Sequence, residues 1–439
     1  MKFVFDRVNL EALTKELVSL RRDLHRYPES GWTEYRTTVR LLEELEALGV
    51  PVRFGEEIHH RVTMYGLPDK KYDRDCYQRA LQECGREDLL SKMKGGFTGC
   101  VAEIEGAHPG PVVAFRMDID CNDVGETQDV GHFPVREGFQ SLHPNLMHAC
   151  GHDGHAAIGI GAIRLLLPYR DQIHGTVRII FQPAEEGLRG AASIANSGVL
   201  DGVDWIFGGH IGLKLNELGA VAASSRGFLA STKFDVTFKG RAAHAGASPE
   251  TGHNALAAAS TAVLNLLAIP RHSGGSSRVN IGTLHGGTGR NVIPEEAVMT
   301  LETRGLTTEI NEYMYAAAER ICKSAAAMYE CGYESRFMGA AGGAVCDPEL
   351  VGRVIRSLKT VEGISRIEEN FDFGGGEDFT TMMSRVQSKG GKATEMVFGS
   401  PIKAPHHNGF FDFDEQVIPL AAQAVAKIVL DLCSESDAK

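Results

Sequence analysis

The sequence predicts an α/β protein in which a mostly parallel-sheet domain is interrupted by a smaller α+β domain. Before Ser224, apolar strand-like runs alternate with helical patterns, which is typical of a parallel sheet covered on both faces by helices. Beyond it, the pattern becomes strand–helix–strand–strand–helix–strand, the order of a split, ferredoxin-like unit. We therefore assign residues 1–227 and 339–439 to the larger domain and residues 228–338 to the inserted one.

Hydrophobic periodicity places the individual elements. In the larger domain, buried strands are predicted at 99–104, 112–119, 176–182 and 205–211. Its helices are predicted at 9–26, 34–48, 154–167, 189–198, 348–359 and 415–433. The inserted domain has predicted strands at 230–239, 278–285, 297–304 and 333–338 and predicted helices at 253–268 and 308–331. A charged stretch at 56–95 is interpreted as a solvated helical insertion on the surface.

Composition and charge exclude several classes of protein. The 439 residues are 43% hydrophobic and 23% charged, as in an ordinary folded protein. The 57 acidic residues outnumber the 45 basic ones, and the net charge of −12 argues against nucleic acid or an anionic membrane as a partner. The longest apolar run, 255–270, is shorter than the roughly 20 residues that span a bilayer. Nine cysteines without a Cys-x-x-Cys pair, and the lack of a visible signal peptide, indicate a reducing cytoplasm.

The segment from Met147 to His155 has the highest density of metal-ligating residue types. Within it, Cys150 and His152 are of the kinds that bind Zn²⁺ and related divalent ions, and Asp153 could orient a ligand. The alternative is a buried cysteine beside polar residues that cap the following helix. Three histidines and one cysteine within eight residues favour the metal site.

Three further segments place polar residues after apolar strands. Glu185 and Glu186 follow one strand, His210 ends the next, and the pair His406–His407 follows the apolar strand-like run 395–399. Taken singly, these could be a solvated acidic turn, a structural histidine and a surface loop. Because catalytic groups collect at the carboxyl ends of parallel strands, we expect the four segments to meet there and to form a two-metal hydrolytic centre.

The inserted domain contributes candidates of its own. His244 lies in a loop of small residues, Asn291 follows a glycine-rich stretch, and Arg304 ends a strand. Neutral donors suit a developing oxyanion, and an arginine can bind a carboxylate with two hydrogen bonds. For Arg304 an ordinary salt bridge is the alternative. We interpret the glycine turn 374–379 as structural, with its acidic residues at a helix N-terminus.

Three motifs make the chain recognisable: His148–His155, Gln182–Gly187 and His244–Gly246. In them the chain resembles the dinuclear metallopeptidases that include aminoacylases, hippurate hydrolase and auxin-conjugate amidohydrolases. The resemblance implies a zinc-peptidase-like catalytic domain and a lid and dimerisation domain. The chain is most similar to members that cleave p-aminobenzoyl-glutamate, as judged from the 56–95 insertion and from the segments 21–36, 232–256 and 406–417.

The resemblance also implies roles for individual residues. The expected metal ligands are Cys150 as the bridging ligand, His152, Glu186, His210 and His407. Glu185 is expected to be the general acid and base. His244 is expected to cross into a partner's active site, Asn291 to bind the transition-state oxygen, and Arg304 the substrate carboxylate, with Arg290 a weaker candidate.

The chain departs from the family pattern at one ligand. Many relatives have His-x-Asp where this sequence has Asp118-Ile119-Asp120, so the replacement histidine is expected to be His152. The choice of His407 over His406 depends on the Asn-x-aromatic residues that follow it. Two divalent ions are expected per chain, with Mn²⁺ implied and Zn²⁺ possible, since a thiolate ligand favours softer ions.

The function that the resemblance implies is hydrolysis of p-aminobenzoyl-glutamate, a folate breakdown product, to p-aminobenzoate and glutamate. One alternative is the same chemistry on another N-acyl amino acid, such as a hippurate-like or N-acetyl amide. Another is a non-catalytic partner subunit. The expected assembly is a homodimer or a heterodimer with a homologous B subunit, without nucleic acid or membrane.

Overall fold

The chain, described here at residues 5–6 and 8–434 of a computed structural model, divides into two compact units. The first comprises Met1–Arg226, Ala344–Phe373 and Asp378–Lys439, and the second comprises Gly227–Gly343 and Gly374–Glu377. Residues 339–343, which the sequence interpretation gave to the larger domain, lie in the second unit because its last strand continues to Ala341.

The first unit is built on an eight-stranded mixed sheet with the order β1-β2-β4-β3-β5-β14-β6-β12. Its longer central strands pair in parallel, β4 with β3, β3 with β5 and β5 with β14, whereas β1, β2 and β6 each have antiparallel neighbours. A separate parallel pair joins β7 to β13. The strands are β1 Val52–Phe54, β2 Cys100–Glu105, β3 His108–Asp118, β4 His174–Gln182, β5 Trp205–Ile211, β6 Ala220–Ala222, β7 Ser225–Arg226, β12 Arg366–Glu368, β13 Phe371–Asp372 and β14 Lys392–Phe398.

Helices cover this sheet and bury its apolar side chains. The core on one side includes α1, α6 and α12, all of which contribute fully buried leucine, isoleucine or valine residues. The helices are α1 Leu10–Arg26, α2 Tyr35–Ala47, α3 Lys70–Cys84, α4 Glu87–Leu90, α5 Phe133–Arg136, α6 His152–Leu166, α7 Ala191–Ala195, α10 Pro348–Leu358, α11 Phe379–Gln387 and α12 Val417–Leu432.

The second unit has a four-stranded antiparallel sheet with the order β11-β8-β10-β9. Along the chain its elements follow the predicted strand–helix–strand–strand–helix–strand order, and their buried faces form a core of their own. They are β8 Ala230–Lys239, α8 Ala255–Leu267, β9 Ser277–Gly286, β10 Glu296–Gly305, α9 Thr308–Met328 and β11 Gly332–Ala341. None of the helices in the part of the chain described is long and apolar enough to cross a membrane.

The insertion at residues 56–95 is helical and largely exposed, as predicted, but one side of it is packed against the rest of the first unit. Its main helix, α3, buries Cys76, Tyr77 and Ala80 in a small core against α2. The hydroxyl of Tyr35 donates to Asp73 of this helix at 2.5 Å, which ties the insertion to the start of α2. The charged residues mask this apolar stripe, because only one side of α3 is buried.

Candidate metal centre

The parallel strands bring the predicted segments to one edge of the large sheet. Asp118, Gln182, His210 and Phe398 lie at the carboxyl ends of β3, β4, β5 and β14, which run in the same direction. The loop that contains Cys150 enters α6 through Gly151, whose φ of +89° suits glycine. Side chains distant in sequence therefore meet at this edge.

Cys150, His152 and His210 form the first group of potential metal ligands, with one ligand atom of each within 4.8 Å of the others. The sulfur of Cys150 lies 3.4 Å from Nε2 of His210, and both side chains are buried. Nδ1 of His210 donates to the carbonyl of Ile211 at 2.9 Å. Because burial and neighbouring histidines hold the pKa of His210 well below its ordinary value, its Nε2 keeps a lone pair for a metal.

His152 has the environment of an oriented ligand. Its Nδ1 lies 3.2 Å from Oδ1 of Asp120, while its Nε2 is buried and has no hydrogen-bond partner. A fully buried ring nitrogen without a partner is costly, and an ion beside Cys150 would satisfy it. The donor set of thiolate, imidazole and carboxylate also fits a divalent metal.

Cys150, Glu186 and His407 form a second group within the same distance limit, so that Cys150 belongs to both groups. Nε2 of His407 lies 3.1 Å from Oε1 of Glu186, and that oxygen also accepts the amide of Asn122 at 2.5 Å. The hydrogen bonds to Cys150 and Glu186 raise the pKa of His407 to about 10. The position of Cys150 in both groups fits the bridging role that the family resemblance implies for it, while His152 and Glu186 also belong to further groups.

The two adjacent histidines of the last loop have different surroundings. His407, at a φ of +62°, is placed beside Glu186 and its backbone N–H donates to the carbonyl of Ala149. His406 instead lies 3.3 Å from the carbonyl of Ile211 through Nε2, and burial lowers its pKa to about 4. Of the two, His407 is therefore the one in a ligand group.

His155 stands in a further candidate group with Asp118 and His152, but hydrogen bonds already engage both of its ring nitrogens. Its Nδ1 lies 2.5 Å from Asp118, and its Nε2 accepts the backbone N–H of Ile211 at 2.9 Å. Both ring nitrogens are thus engaged. Asp118 also accepts from Arg116 at 2.8 Å, and through its bonds to Asp118 and Ile211 His155 joins α6 to β3 and β5.

Glu185 lies beside the ligand groups and shares one cluster with His152 and Glu186. Its side chain is buried, with 8% of its surface exposed. The backbone N–H groups of Glu185 and Glu186 donate to Asp120 at 3.1 and 2.9 Å, which directs the two adjacent side chains. Burial would raise the pKa of Glu186, but its contacts with His407 and with His152 hold it at about 2.

The remaining predicted residues lie in the second unit. His244 is exposed and its Nδ1 accepts the N–H groups of Gly246 and Ala247 at 3.1 and 3.0 Å. Asn291 is also exposed, and its carbonyl accepts the N–H of Ala245, which places it next to the His244 loop.

The two arginines of the second unit differ in exposure. Arg290 is exposed, in the loop between β9 and β10. Arg304, on β10, is part-buried and contacts both oxygens of Glu302, at 2.8 and 3.1 Å, as in the salt-bridge alternative.

Several buried residues that the sequence analysis did not select support the site. Asp120 binds the Glu185–Glu186 backbone, and Asn122 joins Glu186 to the N–H of Ala149. Asp378, interpreted as a residue at a helix N-terminus, makes no cap hydrogen bond to its own helix and accepts from Gln182 and the N–H of Ala191. Asp120, in the Asp-x-Asp motif, and Asp378, in the glycine turn, stood in segments that the sequence analysis described, whereas Asn122 did not.

Close to the start of α6, His25 lies between two buried carboxylates. Its Nδ1 is 2.8 Å from Asp153 and its Nε2 is 3.0 Å from Glu126. Burial lowers the pKa of His25, but these carboxylates outweigh burial and raise it to about 9. The pKa of His25 is therefore higher in the folded protein than in the unfolded chain. The interaction of protonated His25 with Asp153 and Glu126 stabilises the fold fully below about pH 6.5, and this contribution is lost as the pH rises through about 9.

We expect the free energy of unfolding to fall by up to about 3 kcal/mol between pH 6.5 and 9.5 through His25. Urea titrations of the wild type and of His25→Gln across this range would measure it. The variant should be less stable at pH 6.5 and show a flatter pH dependence. Identical slopes in the two proteins would contradict the assignment.

The fold and this site define a metal-dependent hydrolase that acts on amide bonds. The family described as Peptidase family M20/M25/M40 matches residues 114–431, and the chain belongs to that family.

Relatives match over almost the full chain. The A subunit of the p-aminobenzoyl-glutamate hydrolase from Escherichia coli (strain K12) is 44% identical, covering 96% of this chain and 97% of its own. The indole-3-acetyl-aspartic acid hydrolase of Enterobacter agglomerans is 45% identical with the same coverage. A crystal structure of an aminobenzoyl-glutamate utilization protein from Klebsiella pneumoniae has a TM-score of 0.83 and 38% identity over 96% of both chains.

Proposed function

We propose that the chain hydrolyses p-aminobenzoyl-glutamate to p-aminobenzoate and glutamate. The observation that carries the proposal is the sharing of Cys150 between two ligand groups, with the Glu185 carboxylate beside them. The 44% identity to one subunit of a p-aminobenzoyl-glutamate hydrolase supports the substrate.

The residues that would hold two divalent ions are Cys150 as the bridge, His152, His210, Glu186 and His407. When bound, the ions would polarise the amide carbonyl and lower the pKa of a water molecule. Mn²⁺ is the metal that the family resemblance implies, and Zn²⁺ is the alternative that a thiolate ligand favours. Because the thiol must lose its proton to bind metal, uptake of the ions should release protons.

Glu185 would transfer protons in the reaction and would not bind the metal ions. Its carboxylate would take a proton from the attacking water and return it to the nitrogen of glutamate as the amide bond breaks. Burial of this side chain, at 8% exposure, keeps the carboxylate in a fixed position close to the ligand groups.

The candidate residues of the second unit would bind the substrate, and one of them, His244, would do so in a partner's active site. His244 and Asn291 offer neutral donors for the oxyanion of the tetrahedral intermediate. Arg304, and more weakly Arg290, would bind a glutamate carboxylate, for which Arg304 would exchange its contact with Glu302. We propose that His244 reaches the active site of a partner, which is a second copy of the chain or a homologous B subunit.

A second candidate substrate is an N-acyl aspartate, because the indole-3-acetyl-aspartic acid hydrolase is 45% identical. Both substrates present an aryl-containing acyl group and a dicarboxylic amino acid. The nine free cysteines are consistent with catalysis in the reducing cytoplasm that we propose as its location.

The test is a paired assay with purified protein and added Mn²⁺ or Zn²⁺. We expect release of p-aminobenzoate that is abolished by a chelator and restored by metal, because the water must be activated by the ions. Indole-3-acetyl-aspartate is assayed in parallel, and the larger kcat/KM identifies the substrate. Metal-loaded protein that cleaves neither compound, alone or with a homologous B subunit, would contradict the proposal.

A further inference from the structure

The loop that contains Glu185 and Glu186 is held by side-chain carboxylates. Three consecutive backbone N–H groups, from Ala184 to Glu186, each donate to a carboxylate. Asp120 accepts the last two, and Glu34 accepts the N–H of Ala184 at 2.7 Å. Burial and the nearby Asp120 raise the pKa of Glu34 to about 8, and an oxygen of its carboxyl group accepts a hydrogen bond in either protonation state. Two carboxyl groups from separate segments therefore anchor the backbone where the proposed base is attached.

Ala184 needs such an anchor because its backbone is strained. Its φ is +55°, in the left-handed region that costs a residue other than glycine on the order of 1–3 kcal/mol. The carbonyl of Ala184 accepts the N–H groups of Arg189 and Gly190, so the turn closes around this residue. Loss of the acceptor for its own N–H would leave a buried donor unsatisfied at the strained position.

The side chain of Glu34 can bind the N–H of Ala184 because it does not cap α2, whose first N–H groups bind another residue. Glu34 directly precedes α2 but makes no side-chain cap hydrogen bond to it. The N–H groups of Arg36 and Thr37 donate instead to Glu29, at 3.1 and 2.8 Å. The second oxygen of Glu34 accepts from the hydroxyl of Thr98 at 2.6 Å, so both oxygens of this fully buried side chain are fixed.

We propose that Glu34 is a positioning residue that directs the Glu185 carboxylate by holding the left-handed turn at Ala184. The inference rests on the proposed role of Glu185 as the base. Among the described residues, the hydrogen bonds of the Glu34 side chain go to the hydroxyl of Thr98 and the N–H of Ala184, and Glu34 is in neither of the two ligand groups. Glu34 holds the N–H of Ala184, which directly precedes Glu185, whereas Asp120 holds the N–H groups of Glu185 and Glu186. Loss of Glu34 should therefore disturb Glu185 before Glu186 and impair proton transfer more than metal binding.

The kinetic test compares Glu34→Ala with Glu34→Gln in metal-loaded protein. We expect Glu34→Ala to lower kcat about 10- to 100-fold, with KM within about threefold of the wild type and with the metal content unchanged. Glu34→Gln keeps an oxygen that can accept the N–H of Ala184, so its kcat should stay within about fivefold of the wild type.

Glu29→Ala is the matched control. Glu29 lies in the same segment, is equally buried and also accepts backbone N–H groups, but those of α2. Its loss should lower Tm as the loss of Glu34 does, while kcat stays within about twofold of the wild type. Equal losses of kcat in Glu29→Ala and Glu34→Ala would indicate a merely structural role and overturn the inference.

A crystal structure of Glu34→Ala gives a readout that does not depend on activity. We expect Ala184 to leave the left-handed region, or the Glu185 carboxylate to move by about 1 Å or more, with Glu186 in place. An unchanged loop, or a wild-type kcat, would overturn the inference and leave the proposed function intact. A wild type that cleaves no substrate would instead overturn the proposed function, and the crystal structure would still decide the role of Glu34.

Discussion

Replacing Glu185 with glutamine should lower kcat by about 10³-fold or more, with both metal ions retained. The substitution removes a proton acceptor but preserves size, and general-base catalysis contributes about 10²–10⁴-fold. Asp120 holds the backbone N–H of this residue and Glu34 holds that of Ala184 before it, so replacing the side chain of Glu185 should leave the loop in its conformation. Single-turnover assays together with elemental analysis of the metal would measure the effect.

Glu186→Gln is the control for this prediction. Glu186 is adjacent and lies beside His407, so its loss should lower the metal content together with kcat. A Glu185→Gln variant that retains near-normal turnover would exclude Glu185 as the base. A variant that loses metal as Glu186→Gln does would place Glu185 among the ligands instead.

Replacing Cys150 with alanine should abolish metal binding at one or both positions and reduce activity by about 10³-fold or more. Cys150 is the member common to both ligand groups, so its loss disrupts both at once. Metal affinity measured by competition with a chelator, and kcat at saturating metal, would test this. Cys150→Asp should recover part of the activity with Mn²⁺, since a carboxylate suits harder ions than a thiolate does.

Cys100→Ala provides a matched control for the loss of a buried thiol. Cys100 is fully buried on β2 and burial raises its pKa, as burial does for Cys150, but it belongs to no ligand group among the described residues. It should lower stability through the cavity left behind while retaining both ions. Equal loss of metal in both variants would mean that Cys150 acts through folding and not as a ligand.

Much of the fold could be predicted from periodicity, because buried faces repeat every two residues in strands and about every 3.6 in helices. The order of elements in the second unit and the long helices α1, α9 and α12 are examples. Short strands such as β6 and β12 were not predicted, because three residues are too few to show a repeat of buried and exposed positions. Such segments form strands only by pairing with a sheet that is already present. The insertion was predicted as helical and solvated, but its packed side was missed because the apolar stripe of α3 is narrow.

The sequence by itself determined which residue types could bind a metal, since Cys150, His152, Glu185 and Glu186 stand in dense local motifs. It could not determine the supporting residues. Asn122 and Glu34 carry no local signal, because each acts on a backbone or side-chain group far away in the chain.

Only the tertiary structure decided between neighbouring histidines. His152 has a buried ring nitrogen without a hydrogen-bond partner, whereas both nitrogens of His155 are hydrogen-bonded, to Asp118 and Ile211. In the same way, the fold places His407 and not His406 beside Glu186. The physical reason is that hydrogen bonds with residues on other strands determine which histidine nitrogen remains free to bind a metal. The pairing of those strands exists only in the folded chain.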